Sequence, residues 1–360
     1  MKSDPNFSKL PSVSELLQHP AVEKVVERVN QSTIAQRATG FLTELQTGWR
    51  EASEDATMPS LSQIAERLAQ RLMGRSDHMT PAINATGVIC STRWQMPMAD
   101  CAVQEQLRLA GEFFERTGLQ EQACALLCDL TGAESAWVVH SYQFATRLVQ
   151  ETTADLAEYA GLVDPKEYGH LPVCTLSSRL QAGANLIVCD GAGLLGGPGC
   201  GILLGHQKQV EALRHHAWAD SAAADALQLV ALIATLAVYR RPDQVAHQIP
   251  VWQLLSTPQD NLKQRCHRMA TLIAEGPSVS EAVPISTQST WFASDSMQLA
   301  GPAWAIQLKP ANLTIEHFVR NLEKTLPRVV VRVEDDVVWI DLRSVFPRWD
   351  QPLIEAFLNA

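Results

Sequence analysis

The chain has 360 residues, of which 46% are apolar and 19% charged, and its net charge at pH 7 is −10. This composition excludes a largely disordered chain, and the length favours two or three domains. The negative charge argues against broad, sequence-independent binding to nucleic acid, because such binding depends on Lys and Arg neutralising phosphates. No apolar stretch is typical of a signal peptide or a membrane span, so we expect a cytoplasmic protein with no membrane partner.

Residues 1–79 are predicted to form a helical domain. Ser12 with Glu15, and Ser60 with Gln63, stand at the spacing of a capping box, which marks the start of a helix. Apolar residues repeat at helical spacing between positions 22 and 49. Residues 1–80 carry 9 Lys and Arg against 10 Asp and Glu, so charge does not indicate an RNA-binding surface. A recognition domain and a small bundle or dimerisation arm both remain open.

Residues 80–250 alternate helical and strand patterns, which predicts a wound sheet covered by helices. Residues 251–360 predict a small α+β domain whose last hairpin turns at residues 334–336. Within residues 80–250 the predicted elements are, in order, a helix over roughly 101–114, a helix ended by Gly132, the strands "SAWVV" (135–139), "LIVCD" (186–190) and "GILLG" (201–205), and a long apolar helix over 225–239.

The cysteine and histidine spacing gives no metal site. Eight cysteines are scattered without a Cys-x-x-Cys pair, which indicates reduced thiols of the core. Cys124 and Cys128 share a helix face, but no histidine stands at ligand spacing from them. His215 and His216 are adjacent and point apart on a helix.

A glycine-rich turn joins the strands "LIVCD" and "GILLG". Glycine lets the backbone approach a ligand closely. The N–H groups of Gly196, Gly197 and Gly199 could hold an anion or another small molecule, whereas the alternative is tight packing without a ligand. Ser141, like other serines near helix starts, is interpreted as a cap rather than a nucleophile.

Seven motifs follow one another from near the start to near the end of the chain: "LPSVSELLQHP", "INATGV", "LLCDLTGAE", "LVDPKEYG", "LQAGANLIV", "LLGGP" and "WIDLR". Together they resemble bacterial selenocysteine synthase, the L-seryl-tRNA(Sec) selenium transferase. The resemblance implies an α/β fold of the fold-type-I pyridoxal-phosphate (PLP) transferases, with a tRNA-binding helical domain (1–79), a large cofactor domain (80–250) and a small α+β domain (251–360). It also implies a homo-oligomer, at least a dimer.

The resemblance fails at the cofactor site. In the family the residue directly before "LLGGP" is a lysine that holds PLP as an imine, and here it is Gly193. A family arginine motif reads here as Thr117, Gly118 and Leu119, an asparagine-rich stretch reads as residues 140–143, and a polar loop reads as "CSTRWQMP". A family segment with basic residues before the long apolar helix reads here as "ADSAAADAL", in which only Asp225 matches the family. We therefore expect no catalytic residue and no cofactor, with a remnant turn made of Gly191, Gly193, Gly196, Gly197 and Gly199.

A deletion accompanies these losses. Between residues 140–143 and "LVD" the family has two or three further βαβ-like units, at ~30 residues each, including strands two to five and the aspartate that would pair with the pyridine nitrogen. The remaining strands six, seven and one are neighbours, so "NLIVC" is expected to become an edge strand that must be covered or paired, for which a helix of the same chain or a partner subunit are candidates. Trp291 and Phe292 are interpreted as filler of vacated space.

The losses favour a pseudoenzyme, an interaction or tRNA-associated protein related to selenocysteine biosynthesis, with tRNA and a functional selenocysteine synthase as candidate partners. The first alternative is an active selenium transferase, or another PLP enzyme, that uses a lysine from elsewhere, either Lys166 or one from a neighbouring subunit. The second alternative is an anion or small-molecule binder in the glycine turn.

Overall fold

The computed structural model describes residues 11–26, 34, 38–43, 45, 60–72, 81–91, 94–150, 154–158, 160–293 and 298–358. The chain divides into two compact units, residues 1–82 and 83–360. In the described ranges no helix combines the length and the apolar character that crossing a membrane requires. The domain boundaries predicted after residues 79 and 250 stay predictions.

The smaller unit is helical, as its capping signals predict. It contains α1 (Val13–Leu17), α2 (Pro20–Val26) and α3 (Leu61–Leu72), and residues 38–43 are also helical. The Ser12 hydroxyl accepts from the Glu15 N–H at 3.2 Å, while the Glu15 carboxylate accepts from the Ser12 N–H at 2.7 Å, so the capping box is confirmed. Ser60 and Gln63 exchange the same two bonds at α3. Positions 29 and 49 of the predicted apolar repeats lie outside the described residues.

Apolar side chains from these helices form a core within the smaller unit. They are spaced three and four residues apart, so that one face of each helix is buried. The buried set includes Leu16, Val22, Ile34, Ala38, Phe41, Ile64, Leu68 and Leu72.

The larger unit holds eleven of the helices that the described ranges contain. They are α4 (Asp100–Ala110), α5 (Leu119–Thr131), α6 (Tyr142–Leu148), α7 (Leu176–Gln181), α8 (Gln207–Arg214), α9 (Ala226–Tyr239), α10 (Pro242–Gln248), α11 (Pro250–Leu255), α12 (Gln259–Ile273), α13 (Ile315–Glu323) and α14 (Asp350–Leu358). Gly132, at φ 80°, ends α5 as predicted. Asp225 caps α9 in a capping box with Gln228. Helix α4 ends at Ala110, before the predicted residue 114, because Gly111 caps it.

A four-stranded sheet lies in the larger unit with the strand order β2 (Ser135–Val139), β5 (Gly201–Gly205), β4 (Leu186–Asp190) and β3 (Asp155–Leu156). Strand β5 is antiparallel to both β2 and β4, and β3 is parallel to β4. Side chains of one face pack with α5 and α9, and those of the other face pack with α6 and α8. The sheet is therefore buried on both faces, which explains its nearly continuous apolar strands.

Strand β3 corrects the predicted sheet edge. We expected three strands with "NLIVC" at the edge, whereas β3 pairs with β4 through Asp155↔Ile187 and Leu156↔Val188. The expectation that this strand is covered or paired holds, but a strand of the same chain pairs with it rather than a helix or a partner subunit. Two residues are too few to show an alternating pattern, so the sequence did not reveal this strand.

A five-stranded sheet completes the larger unit with the order β1 (Ala82–Ala85), β8 (Arg328–Glu334), β9 (Val337–Asp341), β7 (Gln298–Pro310) and β6 (Val279–Ala293). Helices α12, α13 and α14 contribute to the core on this sheet. The predicted hairpin is confirmed, since β8 and β9 are joined by Asp335 and Asp336, whose φ values are 50° and 58°. Trp291 and Phe292 are fully buried, and their interpretation as filler of vacated space stays a prediction.

Candidate functional site

The glycine turn between β4 and β5 is held by its own backbone. The Gly191 N–H donates to Cys200 O at 2.9 Å, the Gly197 N–H to Gly191 O at 2.8 Å, and the Gly196 N–H to Gly193 O at 3.0 Å. Two of the three N–H groups predicted to hold an anion are therefore already used. The anion-binding interpretation of this turn is wrong for Gly196 and Gly197, because closing the turn consumes their donors.

Close packing explains the glycines. A Cβ on Gly191 would lie 2.6 Å from Pro198 O, and a Cβ on Gly196, whose φ is +68°, would overlap Ile249. A Cβ on Gly199 would meet open space. Among the described glycines of the turn, Gly196 alone has a left-handed backbone. The turn therefore needs small residues for its packing, whether or not a ligand is bound.

A cavity of about 270 Å³ lies beside this turn. Four segments meet there: the loop after β1, the start of α6, Glu158 two positions after the end of β3, and the turn itself. The lining residues are Cys90, Ser91, Trp94, Gln95, Met96, Ser141, Tyr142, Gln143, Glu158, Asp190, Ala192, Gly193, Gly199 and Cys200. The carboxyl ends of β3 and β4 thus open onto the cavity, which is where α/β sheets commonly hold ligands.

The charged side chains that line the cavity, within the described ranges, are both carboxylates. Asp190 ends β4, and one of its oxygens accepts from the Ala192 N–H at 3.0 Å. Burial raises the pKa of Asp190 from 3.8 to about 6, and the nearby charge of Glu158 adds to the rise. Sequence reasoning missed Asp190 and Glu158. The signal available was an aspartate at the carboxyl end of a buried strand, directly before a glycine.

The other titratable lining groups are neutral at pH 7. Burial raises the pKa of the Tyr142 phenol, with Glu158 as the next cause. Burial also raises the pKa of the Cys90 thiol to about 12 and raises that of Cys200. A thiol is a nucleophile only as its thiolate, so these cysteines are inert core thiols.

Gly193, which we expected at the position of the family's lysine, is buried in the cavity wall. Lys166 is exposed in the 3-10 turn Pro165–Tyr168, and Lys208 is exposed on α8. Neither lysine lines the cavity. The structure therefore brings Gly193 together with Asp190 and Glu158, and it leaves the candidate replacement Lys166 outside.

The remaining predicted positions have structural roles. Ser141 caps α6 by accepting from the Phe144 N–H at 3.2 Å. Gly118, where we expected the counterpart of the family's arginine motif, is the residue before α5 and has a φ of 85°. The loop "CSTRWQMP" contributes Ser91 and Trp94 to the cavity wall, while its positions 92 and 93 lie outside the described residues. Within the described residues, no three His, Cys, Asp or Glu side chains are grouped to hold a metal ion.

Comparisons with known proteins give one consistent family. The profile of "SelA: L-seryl-tRNA selenium transferase" matches residues 158–346. An L-seryl-tRNA(Sec) selenium transferase of Moorella thermoacetica is 24% identical over 466 aligned positions, which cover 100% of this chain and 98% of that protein. The enzyme of the same name from Yersinia pestis is 33% identical over 202 residues, covering 54% of this chain and 43% of that protein.

The fold has a counterpart among solved structures. D-glucosaminate-6-phosphate ammonia-lyase superposes with a TM-score of 0.53 at 13% identity, covering 83% of this chain and 97% of that one. This similarity shows the fold, and it confirms the predicted α/β fold of the fold-type-I PLP transferases. A serine palmitoyltransferase of Sphingomonas wittichii has a TM-score of 0.40.

The comparisons overturn our expectation about the cofactor. We expected none, but the homologues are PLP-dependent enzymes, so PLP is the group against which the cavity has to be tested. The described lining residues do not fit PLP in the imine-linked form. None of them is a lysine, and the two charged ones are carboxylates, which would repel a phosphate group. We derive no chemical step through PLP.

Proposed function

Because the chain belongs to the L-seryl-tRNA selenium transferase family, we propose that it is a tRNA-associated member that does not itself transfer selenium. Its role would lie in selenocysteine biosynthesis, through binding rather than through chemistry. The proposal separates the two parts of the family's task, which are recognition of seryl-tRNA(Sec) and chemistry in the cavity.

The observation that carries the proposal is the composition of the cavity wall. Gly193 offers no amine, and Asp190 and Glu158 are the charged side chains among the described lining residues. PLP chemistry needs an amine that anchors the aldehyde and exchanges with the substrate amine. The exposed position of Lys166 speaks against its supplying that amine in the same chain.

Retained binding is supported by the unequal preservation of the chain. The smaller unit keeps its caps and its own apolar core. The alignment with the Moorella enzyme spans 466 positions, 106 more than the 360 residues here, yet it reaches across 98% of that protein. The internal length has been lost while both ends are still matched, as expected for a protein that keeps its contacts.

The test is a selenium-transfer assay with the full chain, seryl-tRNA(Sec), a selenium donor and added PLP. We expect no selenocysteinyl product, while filter binding retains seryl-tRNA(Sec). Turnover by the wild-type chain would refute the proposal. In that case Lys166→Ala, with Lys208→Ala as the exposed control, would show whether Lys166 is the amine. Failure to bind seryl-tRNA(Sec) would refute the tRNA-associated role.

Oligomer formation and association with a functional selenocysteine synthase are further parts of this proposal. The native mass of the chain, measured alone, with seryl-tRNA(Sec) and with a selenium transferase of the family, tests both. We expect at least a dimer alone and a larger species in one of the mixtures. A monomer that changes with neither addition would refute both parts.

A further inference from the structure

The cavity contains a carboxylate without a positive partner. Asp190 forms no ion pair within the described residues, and one oxygen accepts the Ala192 N–H. Two arginines that contact the sheet next to Asp190 or the cavity wall have other partners. Arg179 binds the Asp155 carboxylate with two bonds of 2.7 and 2.9 Å, and Arg328 lies over the outer wall residue Trp94, 5.6 Å from the ring centre.

A negative charge in such a place costs free energy unless a cation approaches it. We propose that this cavity binds a small organic cation, a protonated primary amine on a short apolar chain, with the Asp190 carboxylate as its counter-ion. The inference rests on the proposed function. An active enzyme would need a lysine in the cavity, and the amine of that lysine would then occupy the place beside Asp190.

The walls suit the apolar part of such a ligand. Trp94 and Tyr142 offer aromatic rings, and Met96 offers a flexible thioether. Aromatic faces attract ammonium groups, and methionine adapts to irregular apolar shapes. A volume of about 270 Å³ corresponds to about nine water molecules at ~30 Å³ each. The ammonium group has three N–H donors, which one carboxylate and neighbouring oxygens can accept.

The protonation of Asp190 should control binding. The titratable groups around it are Glu158, Tyr142, Cys90, Cys189 and Cys200. Burial raises the pKa values of the phenol and the thiols, so they stay neutral between pH 5 and 8. The Asp190 pKa is about 6. A cation favours the ionised carboxylate, so affinity should fall about tenfold per pH unit below that value.

The test is calorimetric titration of the full chain with n-butylammonium chloride at pH 8. We expect a Kd on the order of 1 mM, ordinary for a ligand of five non-hydrogen atoms. Neutral n-butanol and inorganic phosphate should bind at least about tenfold more weakly. Asp190→Asn should lose about tenfold in affinity for the amine. Asp129→Asn, which changes an exposed aspartate paired with Arg240, should not alter it.

Three results would overturn the inference. They are butanol binding as tightly as the amine, phosphate binding in preference to the amine, and unchanged amine affinity in a folded Asp190→Asn variant. Selenium transfer by a chain that still binds the amine would refute the proposed function alone. Absence of both transfer and amine binding would refute this inference alone, so the two failures are distinguishable.

Discussion

Replacing Asp190 by asparagine should stabilise the protein at neutral pH. The pKa of Asp190 is raised by burial from 3.8 to about 6, so above pH 6 the folded chain holds an ionised carboxyl group that the unfolded chain solvates better. Two pKa units correspond to about 3 kcal/mol. The asparagine oxygen can still accept from the Ala192 N–H. The expected gain is therefore about 2–3 kcal/mol at pH 8.

The pH dependence gives the sign of this effect. Below pH 3.8 both states of the wild-type chain carry a protonated carboxyl group, so the destabilisation disappears there. Between pH 3.8 and about 6 the folded chain binds more protons than the unfolded one. Wild-type stability relative to the variant therefore falls as the pH rises through this window and is lowest above pH 6.

Urea unfolding at pH 4, 5, 6 and 8, followed by circular dichroism, measures the difference between Asp190→Asn and the wild-type chain. Asp129→Asn serves as the control, because that carboxylate is exposed. A variant that is less stable than the wild-type chain at pH 8 would refute the reasoning. So would a stability difference that is the same at pH 4 and pH 8.

Three further predictions concern the packing of the glycine turn, a buried ion pair and the last hairpin. Gly196→Ala should lower the free energy of unfolding by more than about 2 kcal/mol, because Gly196 has a positive φ and a side chain faces it. Gly199→Ala meets open space and should change that free energy by less than about 0.5 kcal/mol. Equal effects of the two variants would contradict the packing explanation. Asp350→Asn should lower the free energy of unfolding by about 3 kcal/mol, because it leaves the buried Arg265 without its charged partner. Arg268→Ala removes the exposed partner of the same carboxylate and should cost less than about 0.5 kcal/mol. Urea unfolding that ranks the two variants in the opposite order would contradict this prediction. Asp336→Gly should stabilise the chain by about 0.5–1 kcal/mol, since glycine adopts its φ of 58° without strain, and a lower melting temperature would contradict it.

Local signals predicted much of the fold because each depends on a few neighbouring residues. The capping boxes at Ser12 and Ser60, the helix end at Gly132 and the buried strands β2, β4 and β5 could all be read from short windows of sequence. Seven ordered motifs added the family and its fold. Strand β3 was missed because two residues carry no period, although their pairing with β4 changes which strand forms the edge.

The site was less predictable, because its properties arise from contacts distant in sequence. Asp190 and Glu158 lie 32 positions apart and meet at one cavity only because β3 and β4 are parallel neighbours. The use of the Gly196 and Gly197 N–H groups depends on how the turn closes on itself. The expectation of no cofactor was drawn from Gly193 and the neighbouring losses in this chain, and the PLP-dependent homologues overturn it.

Strand β3 also bears on how such a chain avoids association with copies of itself. A sheet that loses strands from its outer side exposes the next strand, and a long apolar edge is a template for aggregation. Here the edge on that side is β3, whose two residues are Asp155 and Leu156, and the Asp155 carboxylate is bound to Arg179. Strand β2 forms the opposite edge. An edge as short as β3 offers few free N–H and C=O groups for another chain. The loss of outer strands therefore leaves little open edge on the β3 side of the sheet.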